Sequence, residues 1–168
     1  MAELTQDALE ALAAELGSEL LRLGMRLAAA ESCTGGWAAQ AITAVAGSSA
    51  WFERGFVTYS NEAKMDMLGV HADTLERHGA VSEATVREMA EGALRYSRAQ
   101  AAFAISGIAG PGGGSDSKPV GTVCFAWATA NGPVRVETRR FDGDRRQVRM
   151  QAVAYAFCEM QADLMAMP

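Results

Sequence analysis

The stretch MRLAAAESCTGGWAAQAITAVAG, residues 25–47, decides the fold. MRLAAAES is a short, mostly apolar run that ends in small polar residues, and TGGWAAQAITAVAG continues with helix-forming composition up to Gly47. The pattern predicts strand, turn, helix, with Ser32, Cys33 and Thr34 in the turn directly before two glycines. Three potential nucleophiles therefore sit side by side, although capping of the following helix by Ser32 or Thr34 accounts for the same residues.

Outward from this unit the chain repeats the theme. Upstream, MAELTQDALEALAAE reads as the start of an acidic amphipathic helix, and Leu9, Leu12, Leu16, Leu20 and Leu23 recur at helical spacing up to Gly24, predicting a helix over 4–23. Downstream, RGFVTYS is β-branched and aromatic, and SNEAKMDML follows with Ser60 or Asn61 as N-cap and Glu62 in the first turn. HADTLERHG reads as a surface turn and short helix. SEATVREMAEGALRYS is an amphipathic helix with a serine cap, followed by the buried strand AAFAISG. GIAGPGGGSDSKP, residues 107–119, holds five glycines and two prolines and is a loop. VGTVCFAWATA and VRVETRRF are strands separated by Asn131-Gly132-Pro133, and a helix from Gly143 to Met165 closes the chain. Alternating strands and helices followed by a late β-hairpin predict a three-layer α/β/α sandwich around a mixed, mostly parallel sheet, in a single domain over residues 1–168.

Bulk properties narrow the function. A net charge of −5 argues against an extended nucleic-acid footprint, which needs clustered Lys and Arg. No uncharged apolar run is long enough for a bilayer helix and no secretory leader is visible, so a cytoplasmic protein that does not engage a membrane is expected. Cys33, Cys124 and Cys158 are far apart, and with only His71 and His78 beside them neither a disulfide framework nor a zinc site is expected. Met65, Met67 and Trp51 are candidates for a self-association surface.

In open α/β sheets ligands collect beyond strand ends, which selects the loops Glu31–Gly36, Tyr59–Lys64 and Ser106–Lys118. Behind Ser32, the main-chain N–H groups around Thr34, Gly35 and Gly36 can face a phosphate or an oxyanion without Cβ obstruction. The chain has thirteen Arg but only Lys64 and Lys118, both in candidate loops. Lysine can lose its proton when desolvated and arginine cannot, which fits a general base. The Tyr59 hydroxyl could relay a proton or hold that lysine. Cys33 lies beside Glu31, which disfavours its thiolate and marks it as a small buried residue rather than a nucleophile. Arg145, Arg146 and Arg149, after Gly143 and Asp144, offer cationic groups for a phosphate or a solvated charged face.

Taken together, AESCTGG, AGSSAWFERGFVTYSNEAK, HGAVSE, ISGIAGPGGGSDSKPVGTV and FDGDR resemble the successive signature blocks of the CinA C-terminal-domain family, whose stand-alone members are nicotinamide-nucleotide amidases. The resemblance implies hydrolysis of the carboxamide of nicotinamide mononucleotide to nicotinate mononucleotide and ammonia, without metal or cofactor. It implies Ser32 as nucleophile, Lys64 as its general base and Tyr59 assisting. Substrate-binding positions map to Thr34, Gly35, Gly36, Ser49, Ser106, Gly107 and Arg145. Many relatives carry threonine where Ser106 stands, which keeps the hydroxyl. A homo-oligomer is expected, a dimer first. The alternative is a non-catalytic nucleotide-binding or competence-related interaction module.

Overall fold

The computed structural model describes residues 3–168; residues 1 and 2, where the N-terminal helical reading begins, lie outside the described residues. Five strands, β1 (Leu27–Glu31), β2 (Phe52–Val57), β3 (Ala101–Gly107), β4 (Thr122–Thr129) and β5 (Arg135–Arg140), form one sheet in the order β2-β1-β3-β4-β5. β1 pairs in parallel with both β2 and β3, whereas β3–β4 and β4–β5 are antiparallel. Only β4 therefore runs against the common direction, and the late hairpin is β4–β5. Six helices, α1 (Gln6–Leu23), α2 (Trp37–Thr43), α3 (Asn61–Leu68), α4 (Ala72–His78), α5 (Glu83–Arg95) and α6 (Arg145–Met165), cover the two faces, giving the expected α/β/α sandwich.

The strand pleat sorts the core. Leu27, Ala29, Phe103, Ile105, Val123, Phe125 and Trp127 point toward α1, α2 and α6, where they pack with Leu16, Leu20, Val153 and Phe157. Ala28, Ala30, Ala102, Ala104, Cys124, Ala126 and Ala128 point the other way, toward α3, α4 and α5. Large side chains on one face and alanines on the other follow from the period of two along each strand. The alanine face lets α5 approach closely. Gly92 in α5 touches α3 so tightly that a Cβ would fall 1.9 Å from the Leu68 carbonyl oxygen.

Two expectations need correction. The helix read over 34–47 is confined to Trp37–Thr43, because Gly35 (φ 59°) and Gly36 (φ 101°) take the left-handed conformation that glycine adopts without strain, and a 3₁₀ turn, Ser48–Ala50, replaces its end. Trp51 is not a surface residue: it is buried against Gly17 of α1, where any Cβ would overlap the indole, and Met65 is half-buried. Among the described residues, no helix is long and apolar enough to cross a membrane.

Candidate active site

The strand directions gather the sequence blocks. The C-terminal ends of β1, β2, β3 and β5 and the start of β4 share one edge of the sheet, so the loops 32–36, 58–60, 108–121 and 141–144 meet there. This is the edge, beyond the carboxyl ends of parallel strands, at which α/β sheets bind ligands.

At its centre Lys64 Nζ donates to Ser32 Oγ at 2.9 Å. Pleat parity explains the pairing: Ser32 continues the even-numbered face of β1 toward α3, whereas Cys33 falls with the opposite face and packs in the core below α1, α2 and α6. Lys64 sits in the first turn of α3, whose N-cap Ser60 accepts from Ala63 N–H. A helical side chain leans toward the helix N-terminus, which carries Nζ back to Thr58 O at 2.7 Å and Tyr59 O at 3.5 Å. The lysine is fully buried, and among the described residues no carboxylate forms an ion pair with it. Desolvation holds its pKa below the ordinary lysine value, with a smaller opposing influence from Cys33.

The turn after Ser32 is clamped on both sides. The Glu31 carboxylate, itself buried, accepts from the Thr34 hydroxyl (2.7 Å) and from Ala38 N–H and Ala39 N–H (2.9 and 3.0 Å) at the start of α2. Arg149 of α6 donates through Nε to Cys33 O (2.9 Å) and through Nη2 to Thr34 O (3.2 Å). Ser32 O accepts from Gly35 N–H at 3.0 Å, closing the turn. Burial first, and then the Glu31 charge, push the Cys33 thiol up to about 11, which leaves almost no thiolate at neutral pH.

The remaining sequence candidates separate. Tyr59 is exposed; its hydroxyl accepts from Arg145 Nη2 at 3.2 Å, and only its main-chain oxygen reaches toward Lys64. Arg145 also donates to Gly110 O at 2.7 Å, spanning from Tyr59 to the glycine-rich loop. Ser106 is buried and donates to Ala80 O at 2.8 Å, fastening the α4–α5 loop to the site edge. Gly107 ends β3 where a Cβ would lie 2.7 Å from Val123 Cγ2. Lys118 donates to His78 O at 2.6 Å, which makes it a strut of the same loop. Ser49 stands apart: it lies in the 3₁₀ turn that precedes β2, at the opposite edge of the sheet from Ser32, and is exposed. Within one chain the fold does not bring it to Lys64. Among the described residues no group of three or more His, Cys, Asp or Glu side chains is arranged to hold a metal ion.

The profile of the CinA C-terminal domain matches residues 9–164. The chain belongs to the CinA C-terminal domain family. It is 59% identical over 153 residues to the nicotinamide-nucleotide amidohydrolase PncC of Escherichia coli (strain K12), covering 91% of this chain and 93% of that protein. The protein of the same name from Pseudomonas putida is 51% identical over 150 residues, covering 89% and 93%. The crystal structure of the competence/damage inducible protein CihA from Agrobacterium tumefaciens superposes with a TM-score of 0.90 at 48% identity, covering 98% of this chain and 99% of the other.

Within this CinA-type edge, two residues carry more than the sequence reading assigned. The sequence sets Glu31 near Cys33, whose thiolate it disfavours, and offers Arg149, with Arg145 and Arg146, for a phosphate or a solvated charged face. Both hold the turn that carries Ser32. The signal for Glu31 was available in its odd-numbered place beside Ser32, facing the start of α2; the reach of Arg149 depends on how α6 packs and has no local signature.

Proposed function

We propose that this chain hydrolyses the carboxamide of nicotinamide mononucleotide to nicotinate mononucleotide and ammonia, in the recycling of pyridine nucleotides. The observation that carries the proposal is the contact between Ser32 Oγ and a fully buried lysine that pairs with no carboxylate among the described residues. The name of the Escherichia coli relative, nicotinamide-nucleotide amidohydrolase, supplies the substrate class. In this reading neutral Lys64 takes the Ser32 proton as Oγ bonds to the carboxamide carbon, then delivers it to the nitrogen as the C–N bond breaks and ammonia leaves. Water, deprotonated by the same lysine, attacks the resulting ester and frees Ser32 with the carboxylate product. Serine–lysine pairs of this kind are an established variant of the serine triad.

Arg145, with Tyr59 and the glycine-rich loop, is the anion-binding end of the site, and Thr34, Gly35 and Gly36 line the reacting end. Binding energy from the phosphate positions the amide for attack. A single-domain, cytoplasmic enzyme that acts on a small molecule and forms a dimer belongs to the same reading. The test is ammonia release from nicotinamide, its riboside, its mononucleotide and the dinucleotide. Turnover of the mononucleotide supports the proposal, and tight binding without turnover would favour a nucleotide-binding module.

A further inference from the structure

We propose that Arg149 is a positioning residue for this reaction: by holding the carbonyls of Cys33 and Thr34 from behind, it aims the Thr34 main-chain N–H at the oxyanion formed on Ser32. The inference rests on the amidohydrolase reading above and names the part of the site that stabilises its intermediate.

Peptide geometry supplies the first step. In a trans peptide the C=O and N–H of one unit point in opposite directions. Arg149 Nε fixes Cys33 O at 2.9 Å from the α6 side of the sheet, so the N–H of Thr34, in the same peptide unit, is turned away from the guanidinium. Of the amides in this turn, Ser32 N–H donates to Ile105 O, Gly35 N–H to Ser32 O and Trp37 N–H to Thr34 O, whereas those of Cys33, Thr34 and Gly36 have no acceptor among the described residues; of these three, only that of Thr34 shares a peptide unit with a carbonyl held by Arg149. Among the described residues the Thr34 N–H has no acceptor, although the Thr34 side chain is fully buried. A donor held in place and left unpaired beside a nucleophile is what a tetrahedral oxyanion requires.

The brace is itself held. The Arg149 guanidinium lies over the Trp37 ring at 5.4 Å from its centroid, and Trp37 Nε1 donates to Gln6 Oε1 of α1 at 2.6 Å. Arg149 thus bridges α6, the nucleophile turn and α2, and its planar fork spans two carbonyls that a lysine ammonium would meet with only one well-aligned donor. Glu31 grips the same turn through the Thr34 hydroxyl and the first amides of α2. With both clamps in place the loop has little freedom to rotate the Thr34 peptide.

The test compares wild type, Arg149→Ala and Arg149→Lys in steady-state ammonia release from nicotinamide mononucleotide. Loss of positioning lowers kcat about a hundredfold in Arg149→Ala with KM little changed, the size expected for misplacing one oxyanion donor. Arg149→Lys falls between the two, and millimolar guanidinium ion raises kcat of Arg149→Ala but not of wild type. Unfolding curves for both variants establish that the folded enzyme is what is assayed, and Trp37→Leu, which leaves the guanidinium in place but removes its platform, lowers kcat less. Unchanged kcat in a folded Arg149→Ala, or a rise in KM alone, overturns the assignment and returns Arg149 to a phosphate contact. Wild type that releases no ammonia overturns the amidohydrolase reading itself, and the positioning role with it.

Discussion

Lys64 Nζ and Ser32 Oγ meet at 2.9 Å, with the main-chain oxygens of Thr58 and Tyr59 as the only other groups that accept from the lysine among the described residues. Two carbonyls and a hydroxyl solvate an ammonium less well than water does, and among the described residues no carboxylate pairs with it. The neutral amine gains accordingly, which is the form a general base needs. On the proposed mechanism, kcat/KM rises with pH as Lys64 loses its proton, and the midpoint lies below the ordinary lysine value because burial lowers that pKa. Lys64→Arg, which stays protonated at any accessible pH, is expected to lose at least about a hundredfold in kcat, and Ser32→Ala to release no measurable ammonia. A Ser32→Ala enzyme with near-normal turnover would remove the serine from the mechanism.

The same burial has a cost in stability with a definite sign. Because the folded-state pKa of Lys64 is depressed, the unfolded chain binds more protons between the two pKa values, and stability increases with pH across that interval. Below the folded pKa the full penalty applies; above the ordinary lysine value it vanishes. Lys64→Met is therefore expected to be more stable than wild type near neutral pH, with the gap closing as pH approaches the unfolded lysine pKa. Denaturant unfolding of both proteins over that pH range measures the difference. A gap that widens with rising pH would contradict the assignment.

Much of this site could be read along the chain, and the reason is the pleat. Ser32, Lys64 and the glycine pair fall at strand–helix junctions that hydrophobic patterning locates, and the alternation of β1 decides which of two adjacent nucleophiles faces the lysine. What could not be read locally depends on packing between distant segments. The Tyr59 hydroxyl goes to Arg145, 86 residues away, rather than to Lys64, and Arg149 reaches back 116 residues to Cys33. Ser49 illustrates the reverse case: a motif adjacent in sequence to the β2 block is sent to the far edge because β2 lies between it and Tyr59.

Cys33 adjoins Ser32 but falls on the opposite face of β1 and packs in the core. With its thiol at about 11, only about one molecule in ten thousand carries the thiolate at pH 7. Iodoacetamide at neutral pH is expected to leave turnover unchanged, and Cys33→Ala to retain activity within about threefold at a cost of about 1 kcal/mol for the small cavity. Inactivation by the reagent that substrate prevents, together with loss of activity in Cys33→Ala, would make the cysteine a participant.

Glu31→Gln separates shape from charge in the clamp. The carboxylate accepts three hydrogen bonds, two of them from the main-chain N–H groups of Ala38 and Ala39. An amide of the same shape must turn its own NH₂ toward one of these donors, leaving a buried group unpaired, so about 1–3 kcal/mol of stability is expected to be lost. Removal of the negative charge also lowers the Cys33 pKa, since Glu31 is the largest electrostatic influence raising it. Thermal unfolding and the pH dependence of thiol alkylation report the two effects separately. Lost stability with an unmoved thiol titration would mean that burial alone sets the thiol.

Arg145 tests the other end of the site. Its Nη1 is held by Gly110 O and its Nη2 by the Tyr59 hydroxyl, so the guanidinium is pre-placed between the glycine-rich loop and the end of β2 while remaining exposed. If this group receives the phosphate of the mononucleotide, Arg145→Ala should raise KM by about tenfold or more, because a charge-assisted contact is removed, while a substrate without phosphate loses nothing. Tyr59→Phe removes only the hydroxyl that steadies one nitrogen, and a several-fold rise in KM with Lys64 chemistry intact is the expected result. The contrast with Arg149 is then diagnostic, since the two arginines flank the same loops: one should change KM and the other kcat. Equal losses on the mononucleotide and on its riboside in Arg145→Ala would show that Arg145 supports the fold of the loop and not the phosphate.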